Sequence, residues 1–517
     1  MEKNKIIKKL LLILLCLPFI GLGQNVNIPD ANFKAYLVGN SLINTNGDSE
    51  IQVSEATAFN GSISCSSLGI SDLTGIEAFP IINELYCDSN QLTTMDVSNN
   101  TLLVGLACNS NQLTSFDVSN NTILESFGCA HNQLSILDIS NNIALEALNC
   151  HNNQFTNLDI SSNIILGFLD CGHNQLTNLD VSNNTALYDL RVSHNQITNL
   201  DLSVHTFLNS LDCRSNLILT LNLNQNAPLG YLNTTDNQLT ILDVSYYTIL
   251  EYFRCNDNQL TNLDVSNNIA LYHLSCGSNP LSSLDVSQNT ALELLECNSN
   301  QLSNLDVNLN TDLEELNCAD NQLTNLDLSN NTALTYLHCD YNQLSNLDIS
   351  QNTALKELSC ENNQLSNLNT NYNTILIYVL CRSNQITSLD ITQNSTLIEL
   401  NCSENQLVNL DLRNGNNMNM DTSSYGFNIT SNANLYCIDV DDVAWSTTNW
   451  TEAKGNIDPQ QYFSNNCIGT ATIEKNTTNK DLLKITDLLG RETKGTKNEA
   501  LFYIYDDGSV EKRIIIE

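Results

Sequence analysis

The chain has 517 residues, enough for three ordinary domains unless a repeat absorbs the length. Charged residues are only 15%, and 20 Lys+Arg against 57 Asp+Glu give a net charge of −37. Such a surface repels phosphate backbones and anionic lipid, so nucleic acid is excluded as a partner. Seven histidines with no HExxH pair leave little for a zinc hydrolase, and no Ser-His-Asp set or carboxylate pair stands apart from the repeat described below. A non-catalytic protein is expected.

Residues 1–23 have the pattern of a signal peptide. Lys3, Lys5, Lys8 and Lys9 precede the apolar run Leu10 to Leu22, and small Gly21 and Gly23 flank the expected cut before Gln24. Thirteen residues are too few to cross a bilayer core that needs about 20. Export into an oxidising compartment follows, with no membrane span in the mature chain.

Residues 24–81 read as an N-terminal cap. In DANFKAYLVGN, Phe33, Tyr36 and Leu37 fall at i, i+3 and i+4 after Pro29, which predicts one apolar helix face able to seal a first coil. Next comes NTNGDSEIQVSE, which resembles an EF-hand calcium loop. Asn44, Asn46, Asp48, the Glu50 carbonyl and Glu55 stand at positions 1, 3, 5, 7 and 12. Position 1 is Asn rather than Asp, and Ser49 stands where the sharp turn wants Gly. A Ca2+ site and a merely polar capping loop are therefore both open here.

From residue 82 to 412 the chain repeats. Cysteines from Cys87 to Cys402 sit on a 21-residue grid of sixteen positions, interrupted only by Val192 and Thr234. Asparagine follows three residues after every grid position, from Asn90 to Asn405, and Gln follows that Asn in fourteen of the sixteen. Each period holds two half-repeats, as in LTYLHCDYNQLSNLD (Leu334 to Asp348). Leu, Leu and Cys alternate inward as on a strand, and Asn caps the turn. One coil cannot bury its own apolar face, so neighbours must stack into a solenoid. Two nearly equal extended halves predict sheets on both faces. The motif LxxLxCxxN resembles the leucine-rich repeat, in the nested 21-residue form of bacterial surface proteins, and this resemblance implies a binding scaffold. The grid thiols read as small apolar core residues, because Val and Thr replace them and Cys213 has no grid neighbour on either side.

Residues 413–468 break the period and hold both tryptophans, Trp445 and Trp450, which suits a C-terminal cap. Cys437 and Cys467 lie off the grid and are expected to pair as a disulfide. Residues 469–517 are richer in basic residues. LLKITDLLGRE (Leu482 to Glu492) and LFYIYDDGSVEKRIIIE (Leu501 to Glu517) resemble the C-terminal sorting domain of type IX secretion in Bacteroidetes. That resemblance implies a small β-sandwich recognised at the outer membrane. The residues themselves predict short strands around an Asp507-Gly508 turn.

Function must lie in exposed columns. The five basic residues between 82 and 412 are Arg191, Arg214, Arg254, Lys356 and Arg382, and all fall in the first half-repeat. Phe168, Tyr231, Tyr252, Tyr336 and Tyr378 share the column before the second Leu, beside Tyr188 and Tyr272. Tyr and Arg carry much of the energy at interfaces, so Arg191, Arg214, Tyr231, Tyr252, Arg254 and His273 are the expected ligand face. The opposite face shows Asp in fourteen of sixteen LDVS positions, and it reads as a solvated structural row. Three functions fit an exported solenoid. They are recognition or adhesion at a cell surface through a protein or glycan, a passive structural rod, and an ice-binding array on Thr93, Thr114, Thr156 and Thr177. Asp and bulky neighbours spoil the flatness that the last one needs.

Overall fold

The computed structural model describes residues 24–467 and three further strands, Leu482–Thr486, Ala500–Tyr505 and Val510–Ile514. The signal-peptide segment, the Asp507-Gly508 turn and most of residues 468–517 lie outside the described residues. The chain divides into two units at Phe463 and Ser464.

In the first unit, each coil contributes a three-residue strand whose central side chain points inward. Glu84–Tyr86 pairs in parallel with Gly105–Ala107, and each later strand repeats the step 21 residues on, to Glu399–Asn401. Stacked Leu85, Leu106 and Leu148 with Cys87, Cys108 and Cys150 form a continuous buried core. Burying one Leu contributes roughly 1.5–3 kcal/mol, and no coil supplies its own cover, so the stack stabilises as a whole. The sheet has eighteen strands. The sixteen grid strands gain Ser62–Ser64 from the N-terminal cap and Phe427–Asn428 from the C-terminal cap, so both caps begin as extra coils.

Two asparagine functions lock the coils. Asn111 donates through Nδ2 to the carbonyls of Cys87 (3.1 Å), Cys108 (3.0 Å) and Asn109 (3.2 Å), while its Oδ1 accepts from the Leu92 N–H at 3.0 Å. Asn132, Asn153 and their successors repeat this inter-coil bridge. It holds the preceding residue left-handed in coil after coil, with φ between 51 and 59° from Ser89 to Ser431, including Tyr341 and Glu404. Left-handed backbone is costly for such side chains, so the buried amide bonds must offset it.

The expectation of sheets on both faces is corrected. The second half-repeat is mostly a run of turns, in which Asp accepts from the N–H two residues on, as in Ser119 N–H to Asp117 Oδ1 at 2.8 Å. Strands pair on that side only at Asn199–Leu202 with Thr220–Leu223, and near the C-terminal cap, where Ser388–Asp390 pairs with Asn409–Asp411.

The N-terminal cap holds helix α1 (Ala31–Gly39), with Asp30 accepting from the Asn32 and Phe33 N–H groups, and α2 (Val53–Ala58). Phe33 and Leu37 are buried, and the Tyr36 hydroxyl accepts from Ser64 N–H at 2.9 Å, joining the helix to the first strand. At the other end, Trp450 stacks on Phe427 at 3.9 Å and meets Trp445 edge-on at 5.2 Å, covering the last coil. Cys437 and Cys467 are disulfide-bonded, as expected. In the second unit, Ala500–Tyr505 lies antiparallel between Leu482–Thr486 and Val510–Ile514. No helix among the described residues is long and apolar enough to cross a membrane.

Candidate binding face

The strand face presents the first and third residues of each strand, so the register decides which side chains meet. Tyr231, Tyr252 and His273 are direct partners in adjacent strands, as are Asn233, Arg254 and Ser275. Tyr231 and Tyr252 stack at 4.8 Å and 9°, and His273 continues the stack at 4.2 Å and 25° from Tyr252. Tyr272 closes against Tyr252 edge-on at 6.5 Å. The Arg254 guanidinium lies 5.2 Å over the Tyr252 ring, and its Nε donates to His273 Nε2 at 3.0 Å. Ser275 Oγ donates to Glu296 at 2.6 Å, which adds a carboxylate next to the cluster.

Four of the six expected residues, Tyr231, Tyr252, Arg254 and His273, thus form one unit. Arg191 and Arg214 stand apart. Arg191 Nη2 pairs with Asp189 at 2.8 Å and covers Phe168 at 5.3 Å, and Arg214 faces Asp212 at 3.6 Å. His273 is corrected from an exposed contact to a buried support, being only 7% exposed. Burial first, and then the Arg254 charge, push its imidazole down to about 4. A neutral ring is therefore what Arg254 leans on. The rings also face one another rather than solvent, so they offer edges and hydroxyls instead of the open faces a sugar would stack on.

These coils are where the repeat lapses internally. Val192 and Thr234 stand in the cysteine column, and both are fully buried. In the second asparagine column His205 donates to the Val181 carbonyl at 3.1 Å, and Tyr247 donates to the Asn224 carbonyl at 3.2 Å. Sequence reasoning passed over His205, Tyr247, Ser275 and Glu296. His205 and Tyr247 were detectable as breaks in a 21-residue column.

The opposite Asp row is structural. The Ser119 N–H and hydroxyl hold the Asp117 carboxyl below its usual range despite Asp96 and Asp138 on either side. At the N-terminal loop, Asn44 Oδ1 accepts from Gly47 N–H at 3.0 Å and Asn46 Nδ2 donates to Asp48 at 3.1 Å. Glu55 accepts from the N–H groups of Thr45 (2.8 Å), Asn46 (3.2 Å) and Gln52 (3.0 Å). Burial alone would raise the Glu55 carboxyl, but these donors outweigh it and lower it. The Glu50 side chain pairs with Lys34 at 2.6 Å and leaves only its carbonyl for the loop. Side-chain oxygens of Asn44, Asn46, Asp48 and Glu55 thus accept from N–H groups of the same loop.

No protein-family model matches the chain. No curated protein sequence matches it either. Solved structures do. The functional domain of InlJ from Listeria monocytogenes, described as including a cysteine ladder, is 26% identical with a TM-score of 0.57, over 96% of this chain and 98% of that one. A leucine-rich repeat protein of Leptospira interrogans is 23% identical with a TM-score of 0.55, over 69% and 92%. The plant peptide hormone receptor RGFR1, in complex with RGF2, is 18% identical with a TM-score of 0.59, over 75% and 72%. The fold is that of the leucine-rich repeat proteins.

Proposed function

We propose that this chain is an exported, non-catalytic recognition or adhesion protein that docks a protein partner on the strand face between Asp189 and Ser275. The observation that carries this reading is the Tyr231–Tyr252–His273 stack with Arg254 laid across it. A rigid sheet fixes these groups before binding, so little ordering entropy is lost when a partner arrives. The self-stacked rings favour a protein surface over a glycan, because their polar edges and the guanidinium remain to be paired. A plant solenoid of the same fold seen in complex with RGF2 is an analogy at the level of fold. The signal-peptide pattern and the sorting-domain resemblance support delivery to the cell surface or release from it.

The test is a surface-protein and glycan array screen with the mature chain and with Tyr231→Ala/Tyr252→Ala. Protein hits that vanish with the double variant support the reading. Hits confined to glycans, or unaffected by the variant, refute it.

A further inference from the structure

Four of the seven histidines, His131, His151, His173 and His194, line successive coils outside the face described above. His131 and His151 come from adjacent coils, and their Nε2 atoms approach to 2.7 Å with the rings at 81°. Asn152 Nδ2 faces His131 Nδ1 at 2.6 Å, so Nδ1 accepts and Nε2 carries the ring proton. His151 Nδ1 meets Asn149 Oδ1 at 2.9 Å, with Asp170 Oδ2 at 3.7 Å behind it, so that nitrogen donates and His151 Nε2 offers a lone pair. One proton thus bridges two imidazole nitrogens that point at each other.

We propose that His131 and His151 form a two-imidazole site for a divalent transition-metal ion of the zinc, nickel or copper class. Neutral imidazole suits these ions, whereas calcium and magnesium prefer oxygen. The ion takes the place of the bridging proton, and the two rings swing apart from their 2.7 Å contact to the roughly 3.4 Å that two Zn–N bonds of about 2.0–2.1 Å at a tetrahedral angle require. Both Nε2 lone pairs enter coordination, and His131 moves its ring proton from Nε2 to Nδ1, so the pair releases no net proton. Asn152 turns its amide over so that Oδ1 accepts from the new Nδ1–H.

Asn149 and Asp170 already hold His151 in the tautomer that a metal ligand needs, as outer-shell partners do. Ala130 and Gly172 occupy the His151 column in the coils on either side, so no long side chain covers the ring. Among the described residues no group of three His, Cys, Asp or Glu side chains converges, so water completes the coordination. The buried grid thiols do not compete, since Cys129, Cys150 and Cys171 are fully enclosed. His173 and His194 serve as an internal contrast. Their rings are stacked at 4.0 Å and 22°, and lone pairs lying in parallel planes cannot meet at one ion.

The experiment is calorimetric titration of the chelator-stripped full chain with zinc chloride, beside His131→Asn, His151→Asn and His173→Asn. Asn already stands in the His131 column at Asn152 and in the His151 column at Asn109, so these variants keep the coil. One zinc per chain is expected, with affinity falling more than about tenfold in H131N and in H151N and little changed in H173N. Nitrogen NMR should show the His131 proton move to Nδ1 on zinc addition. Absence of binding, equal binding by H131N and H151N, an equal loss in H173N, or an unmoved His131 proton would each overturn the proposal.

Discussion

The hydroxyl of Thr234 donates to the main-chain carbonyl of Arg254 at 3.3 Å. Thiols elsewhere in the column reach the same carbonyl of the next coil, as Cys213 Sγ does to Asn233 at 3.6 Å and Cys339 Sγ does to Ser359 at 3.5 Å. Thr is therefore tolerated in a cysteine column because it reproduces a contact as well as a volume. Thr234→Cys should be nearly neutral in chemical denaturation. Thr234→Val should cost about 1 kcal/mol, the typical worth of one buried hydrogen bond. An equal loss in both variants would show that volume alone matters.

The two faces of the solenoid should separate cleanly in binding. Tyr231→Ala with Tyr252→Ala should weaken the partner found by the array screen by roughly 2 kcal/mol or more. Asp243→Asn with Asp264→Asn should leave affinity nearly intact, because those carboxylates accept from Ser245 and Ser266 N–H at 3.0 Å. Surface plasmon resonance on the wild type and the two double variants decides it, and the reverse pattern would put the contact on the Asp row.

The grid thiols should resist alkylation in the native state. All fourteen and Cys65 are buried and unpaired, and burial raises the Cys129 and Cys381 thiols to about 12. Thiolate is the reactive form, so both access and ionisation are withheld. Mass spectrometry after iodoacetamide should find few labels before denaturation and nearly complete labelling of the fifteen thiols after it, with Cys437 and Cys467 protected until reduction. Extensive native labelling would contradict a sealed core.

Calcium should raise the melting temperature only in the range of about 0.1–1 mM, as suits a site with few charged ligands. Asp48→Ala with Glu55→Ala lowers the starting temperature, because Glu55 caps three backbone N–H groups. The readout is the calcium-induced rise, which the double variant should lack. A wild-type melt indifferent to calcium leaves Asn44 to Glu55 as a polar cap.

Acid should weaken the face through His273. Its folded value of about 4 lies below the ordinary 6.5, so the unfolded chain binds more protons between those limits. The contribution is whole above pH 6.5 and is lost as pH falls toward 4, to a limit of about 3 kcal/mol. His273→Gln should shrink the stability difference between pH 7 and pH 5 in urea titrations. An unchanged difference would mean that the ring is protonated in the fold.

The solenoid was legible because Leu, Cys and Asn recur at spacings that only stacked coils satisfy. Three things were not. The left-handed column has no residue signature, since Ser89, His131, Asp236, Tyr341 and Glu404 all adopt it; the following Asn dictates the geometry. The second half-repeat has strand-like alternation yet runs mostly as turns, and the bond from its Asp to a nearby N–H occurs in paired and unpaired coils alike. His273 shares its column with exposed residues and is buried where Tyr252 stacks upon it and Arg254 and Ser275 bond its ring.

The asparagine bridge has a genetic corollary. Its donors and acceptors lie at fixed offsets within one coil and the coil before it, as Asn300, Asn321 and Asn342 show by bonding Cys276, Cys297 and Cys318 in turn. Deleting or duplicating any 21-residue block in that region hands each amide an equivalent carbonyl and leaves no seam. The length of this rod can therefore drift by unequal recombination without a compensating substitution, while the irregular coils from Val192 to Tyr247 stay a fixed landmark.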